Sequence, residues 1–144
     1  MIQHIDVHAV LQQSVPGYFA DLVTRPTGRA VRREIERAIA GAEPTVARMD
    51  FSGVRCIDYS CADEIIAKLL REVKVLLLRG LTDGHREAIE PVLLSHGLAV
   101  LVELPDGTLD VLGPPETAER LIEELVSRRL AARMPGGTLA LTAA

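Results

Sequence analysis

The chain has no Trp and only two Tyr and two Phe among its 144 residues. So thin an aromatic supply argues against a stacking platform for single-stranded nucleic acid. There is no excess of positive charge, since the formal net charge is -4, and bulk electrostatics gives no push toward nucleic acid or an anionic membrane. No apolar run approaches the length needed to span a bilayer. The start, "MIQHIDVHAV", lacks the basic region of a secretory signal. The two cysteines, Cys56 and Cys61, match no zinc or redox spacing. They read as reduced thiols of a cytoplasmic protein, with Cys56 buried. Neither G-x-G-x-x-G nor G-x-x-x-x-G-K-[ST] occurs, so no nucleotide fingerprint is present.

What is there is aliphatic. Hydrophobic residues make up 48% and charged residues 25%, an ordinary globular balance with a core of Val, Leu, Ile and Ala. The length suits one domain. Residues 2–11 alternate and read as a strand, 12–17 as a turn, and 18–24 as a second strand. Thr27 is placed to cap a helix over 28–40, whose Val31, Ile35, Ala38 and Ile39 share one face. "GAEP" ends it, and "TVARMDF" is a third strand. A helix from Ser60 carries Ala62, Ile65, Ile66, Leu69 and Leu70 at helical spacing. "KVLLLRG" reads as a strand buried on both faces. Residues 82–97 read as a helix that Pro91 kinks or breaks. Apolar runs on either side of Pro105-Asp106-Gly107-Thr108 signal a hairpin. Residues 114–129 form a helix with proline at its start, and the tail is a short hairpin around Pro135-Gly136-Gly137. The expected fold is a single α/β domain over 1–144. It has a mixed sheet with helices mainly on one face, a core over about 18–128 and a C-terminal hairpin extension over 129–144.

The chemistry concentrates at "CIDYSCADE". Ser60 followed by Asp63 approximates a capping box, and Asp63 and Glu64 lie where the helix dipole is positive. A helix cap accounts for Ser60 and Asp63 but not for Asp58 or the preceding "DFSGV". The run "VARMDFSGVRCIDYSCADEIIAKLL" resembles the signature of the STAS domain, the family of anti-sigma-factor antagonists. "RPTGRAVRREIERAI", "DFSGV" and "CADEI" together resemble the STAS-like group more closely, over roughly residues 20–95. The resemblance implies a STAS-like α/β domain that works by protein contact and not by turnover. It matches Ser60 to the family's phosphorylated serine and Asp58 to its turn aspartate. It makes Asp58, Tyr59, Ser60, Cys61, Asp63 and Glu64 the partner-binding residues. The partner implied is a regulatory protein, such as an anti-sigma-type kinase. Tyr59 and Cys61-Ala62 depart from the family's usual Ser or Thr and Gly-Leu. No cofactor and no metal are expected, and exposed strand edges suit a homodimer.

Other constellations have blander readings. "HIDVH" puts His4, Asp6 and His8 on one face of a strand, a metal-like set spread too widely for one ion without a bend. Ser60 lacks a G-x-S-x-G elbow, although His85 and His96 are available as bases for a small enzyme. Cys61 is near a helix start that favours a thiolate, but the surrounding acids oppose it and an inert thiol is expected. Arg25, Arg29, Arg32, Arg33 and Arg37 give the first long helix a basic face. With the tail, which resembles the last helix and wing of a winged-helix domain, that face supports an alternative. In it the chain is a transcription-associated module contacting nucleic acid or a neighbouring regulator.

Overall fold

The computed structural model describes residues 2–15, 20–41 and 46–142. The chain forms β1 (Ile2–Asp6), α1 (Val7–Ser14), β2 (Asp21–Leu22), α2 (Arg25–Ala40), β3 (Val46–Asp50), β4 (Cys56–Ile57) and α3 (Tyr59–Ala62). After these come β5 (Leu76–Arg79), α4 (Asp83–His96), β6 (Val100–Glu103), β7 (Leu109–Leu112), α5 (Pro115–Ser127), β8 (Ala131–Arg133) and β9 (Leu139–Leu141). Seven strands make one mixed sheet in the order β1-β3-β5-β6-β7-β9-β8. The first four are parallel and the last three are antiparallel. β2 and β4 pair in parallel as a separate small ribbon.

Alternation along the strands divides the core. Ile5, Ala47, Met49, Leu76, Leu78 and Val102 face one side, under α1 to α4. Val46, Val75, Leu77, Leu101, Leu109 and Leu139 face the other, under Leu125 of α5. Four helices on one face and one on the other is the α/β arrangement expected. The C-terminal hairpin extends the sheet through β9 on β7.

Several local expectations are corrected. The strand predicted over 2–11 ends at Asp6, whose carboxylate accepts a hydrogen bond from Ala9 N at 3.1 Å and starts α1. Val7 and Leu11 are then buried at helical spacing, one turn apart. His8 therefore leaves the strand, and His4, Asp6 and His8 do not share a strand face. Among the described residues no group of three His, Cys, Asp or Glu side chains is placed to hold a metal ion. Of the strand expected over 18–24, residues 18–19 lie outside the described residues and the strand itself is Asp21–Leu22. Residues 42–45, in the expected helix stop and third strand, and 143–144 also lie outside them. α2 begins earlier than expected, at Arg25, because Thr24 and not Thr27 is its cap and Pro26 fits the first turn. α4 runs unbroken through Pro91, which lies on the exposed side. The carbonyl left without a donor there belongs to exposed Glu87, within reach of water.

"DFSGV" shapes the exit from β3. Asp50 Oδ1 accepts the Ser52 N–H at 2.8 Å, Val54 N donates to Phe51 O at 3.0 Å, and Gly53 takes φ +91°. Gly80, at φ +69°, packs against this turn. A Cβ there would stand 2.4 Å from Ser52 Oγ and 2.7 Å from Asp50 Oδ1, so only glycine fits.

Candidate functional site

The site predicted at the β4–α3 turn is built from the ribbon upward. Asp58 N donates to Leu22 O at 2.9 Å, which ties the end of β4 to β2. Asp58 then caps α3, its Oδ1 accepting Cys61 N at 3.0 Å and the Ser60 hydroxyl at 2.7 Å. The cap is thus Asp58, not Ser60 as the local pattern suggested. The carboxylate is held by the ribbon in the extended conformation that a cap requires, and Ser60 is already helical. Tyr59 stands out from the turn, 45% exposed, and neighbouring Val23 is 48% exposed.

The other predicted contact residues split. Cys61 and Glu64 are fully buried, so their side chains cannot touch a docked partner as expected. Cys61 Sγ donates to Thr24 O at 3.0 Å. Burial, followed by the Asp58 carboxylate, pushes its thiol up to about 12, so it is inert as a nucleophile. A Cβ on Gly28 would lie 3.0 Å from Cys61 Cα, so α2 crosses α3 at that glycine. Cys56, expected to be buried, is exposed and donates to Asp21 Oδ1 at 3.3 Å. Of the two residues of β4, Ile57 takes the buried side and Cys56 the exposed one. Titration of the native chain with a disulfide reagent is therefore expected to modify Cys56 alone. Both thiols react in denaturant, and Cys56→Ser removes the native reaction.

Beyond α3 the helix widens into a π turn, Asp63–Ala67. This turn carries Glu64 inward, where it becomes a charge hub. Arg25 Nη1 donates to Glu64 Oε2 and to Asp63 Oδ2, both at 2.7 Å. Arg32 Nη2 reaches Glu64 Oε1 at 3.4 Å, Arg29 Nε lies 3.7 Å away, and Lys68 Nζ donates to Oε2. His96 Nε2 of α4 lies 2.8 Å from Asp63 Oδ1. Burial alone would raise the Glu64 carboxyl, but Lys68, Arg25 and Arg32 overcome it and hold the pKa below the ordinary value. The same contest, won by Arg25 and His96, holds Asp63 low. Three of the five arginines behind the nucleic-acid reading thus turn toward Glu64. Of the exposed pair, Arg33 and Arg37, the latter is bonded to Glu34.

His85 is no base for Ser60. Thr82 N donates to His85 Nδ1 at 3.0 Å, so Nε2 carries the proton and donates to Val54 O at 2.9 Å. Burial lowers its pKa and keeps it neutral. The Ser60 hydroxyl is committed to Asp58, with no imidazole in the pair.

Local sequence reasoning missed two groupings. The Glu64 hub joins residues 32 and 39 positions apart, which no local pattern reports. A charged cluster at the carboxyl ends of the parallel strands was also missed: β1, β3, β5 and β6 end in Asp6, Asp50, Arg79 and Glu103. No family model matches the chain, and neither a curated protein nor a solved structure matches it. Among the described residues no helix is long and apolar enough to cross a membrane.

Proposed function

We propose that this chain is a non-enzymatic regulatory module, anti-sigma-factor-antagonist-like, that binds a partner protein through the β4–α3 turn. Phosphorylation of Ser60 is its switch, and a cytoplasmic setting goes with that reading. The observation that carries it is the outward Tyr59, with Val23 beside it and Ser60 following. Aromatic side chains in contact patches supply much of the binding energy in protein interfaces. Of the large apolar side chains left exposed among the described residues, Tyr59 is the one aromatic. Asp58, Tyr59 and Ser60 form the contact surface. Cys61, Asp63 and Glu64 hold it from beneath.

A phosphate on Ser60 would replace the 2.7 Å hydrogen bond to Asp58 by repulsion between two anions, loosening the cap. The resemblance to the STAS family supports a kinase-type regulatory partner for the same turn.

The test uses wild type, Tyr59→Ala and Ser60→Asp as baits in native lysate, read by mass spectrometry. Intact mass is recorded in parallel after incubation with ATP in the same lysate, which supplies the kinase. The expected result is one regulatory or kinase-like protein held by wild type and lost by both variants, with a single-phosphate mass shift that Ser60→Ala abolishes. Equal capture by all three baits would sink the turn as the contact surface.

A further inference from the structure

The face of the sheet under α5 is divided. Towards the strand starts it is apolar, with Val46, Val75, Leu77 and Leu101 buried. Towards the carboxyl ends the same face is charged. Strand register aligns Asp6, Asp50, Arg79 and Glu103 in one row across β1, β3, β5 and β6, with His4 and Arg48 paired one step below. These residues border a cleft of about 260 Å³, lined by His4, Ile5, Asp6, Arg48, Asp50 and Arg79. The carboxyl ends of strands are where open α/β sheets seat ligands.

Internal pairing does not satisfy the cluster. Arg48 Nη2 donates to Glu103 Oε2 at 2.6 Å, but its Nη1 reaches only His4 Nδ1 at 3.3 Å. Arg79 Nη1 donates to Asp50 Oδ2 at 3.3 Å. Arg79 Nε lies 3.1 Å from Glu103 Oε2 without aiming its N–H at it. Among the described residues, the buried Nε–H of Arg48 also has no acceptor. A guanidinium offers five donors, so both arginines keep spare ones. Asp6 lies directly across from Asp50, an unfavourable like-charge neighbour, and among the described residues it pairs with no cation. Its Oδ1 is used by Ala9 N, which leaves the second oxygen.

Three carboxylates against two guanidiniums disfavour a simple anion. A simple cation would leave the arginine donors unmet. We infer that this cleft binds a small zwitterion, its ammonium towards Asp6 and Asp50 and its carboxylate towards Arg48 and Arg79. The volume is below that of sites for drug-sized molecules, so the ligand is small. Adjacent strands stand about 4.8 Å apart, so a short methylene chain between the two charges spans the row. The cleft lies on the opposite sheet face from α3 and is independent of the proposed partner surface.

The test is a titration of the full ¹⁵N-labelled chain, following arginine Nε–H signals, with 4-aminobutyrate, butyrate and butylamine as probes. The expected result is a saturable shift of the Arg48 and Arg79 signals with 4-aminobutyrate, at least about tenfold tighter than with either singly charged analogue. Asp6→Asn keeps the helix cap, because Asn caps as well as Asp, and is expected to weaken binding about tenfold. Arg79→Gln is expected to do the same, and Asp6→Asn decides alone if that variant does not fold. Absence of a saturable shift at tens of millimolar 4-aminobutyrate overturns the inference. So does equal binding of butyrate, or binding unchanged in Asp6→Asn.

Discussion

Glu64→Ala is expected to lower the stability of the chain by about 3 kcal/mol, read as a shift in the urea midpoint at unchanged slope. The carboxylate is fully buried and holds Arg25, Arg32 and Lys68 around it. Its removal strands three cations against each other and opens a small void. The figure sits at the low end for breaking a buried pair, because all three cations are partly exposed and can swing to water. Glu64→Gln preserves the volume and costs less. The hub also sets an acid limit. The folded carboxyls of Asp63 and Glu64 lie below their ordinary values of 3.8 and 4.5. The stability they contribute is present above those values and is lost as pH falls through the folded ones. His85 acts earlier. Its folded pKa is below 6.5, so its contribution is whole above that pH and drains as pH falls beneath it. Stability is therefore expected to decline on acidification in two stages. Glu64→Gln flattens the lower stage and leaves the upper one.

Phe51→Ala is expected to cost about 4 kcal/mol, the cost of truncating a buried aromatic. Phe51 is fully buried, its N–H donates to Arg79 O at 2.9 Å, and its ring lies 6.0 Å from that of His85. The ring thus backs the turn that Gly80 and Asp50 close. Phe51→Leu, which keeps most of the volume, is expected to recover most of the loss. A neutral Phe51→Ala in a thermal or urea scan would show that the Phe51 ring does not support the "DFSGV" turn.

Much of the fold was legible because its signals are local. The hairpin over β6 and β7 and the buried strand β5 follow from Gly, Pro and apolar runs that act within a few residues. The failures share a cause. Asp6 ends β1 with a side-chain cap where alternation continues through Val7. Asp58 displaces Ser60 as cap because a neighbouring ribbon holds it in place. At the site, the strand-to-helix turn was readable from its polar residues. The inward rotation of Glu64 was not, since its partners come from another helix and from a turn of irregular pitch. Burial of Cys61 likewise depends on Gly28, far away in the chain.

The π turn has a consequence for descent. It holds one residue more than an α-helical turn would, so the apolar stripe of this helix changes phase at Asp63–Ala67. Deleting one residue there would restore an ordinary helix and leave everything beyond it facing as it does now, because the wide turn absorbs the extra residue. Leu69, buried beyond the turn, would keep its neighbours, whereas Glu64, inside it, would be displaced from its cations. A related chain with regular pitch at this point must therefore differ by a one-residue gap and also in what it places where Glu64 stands. The gap and the loss of the arginine partners on α2 are expected to travel together.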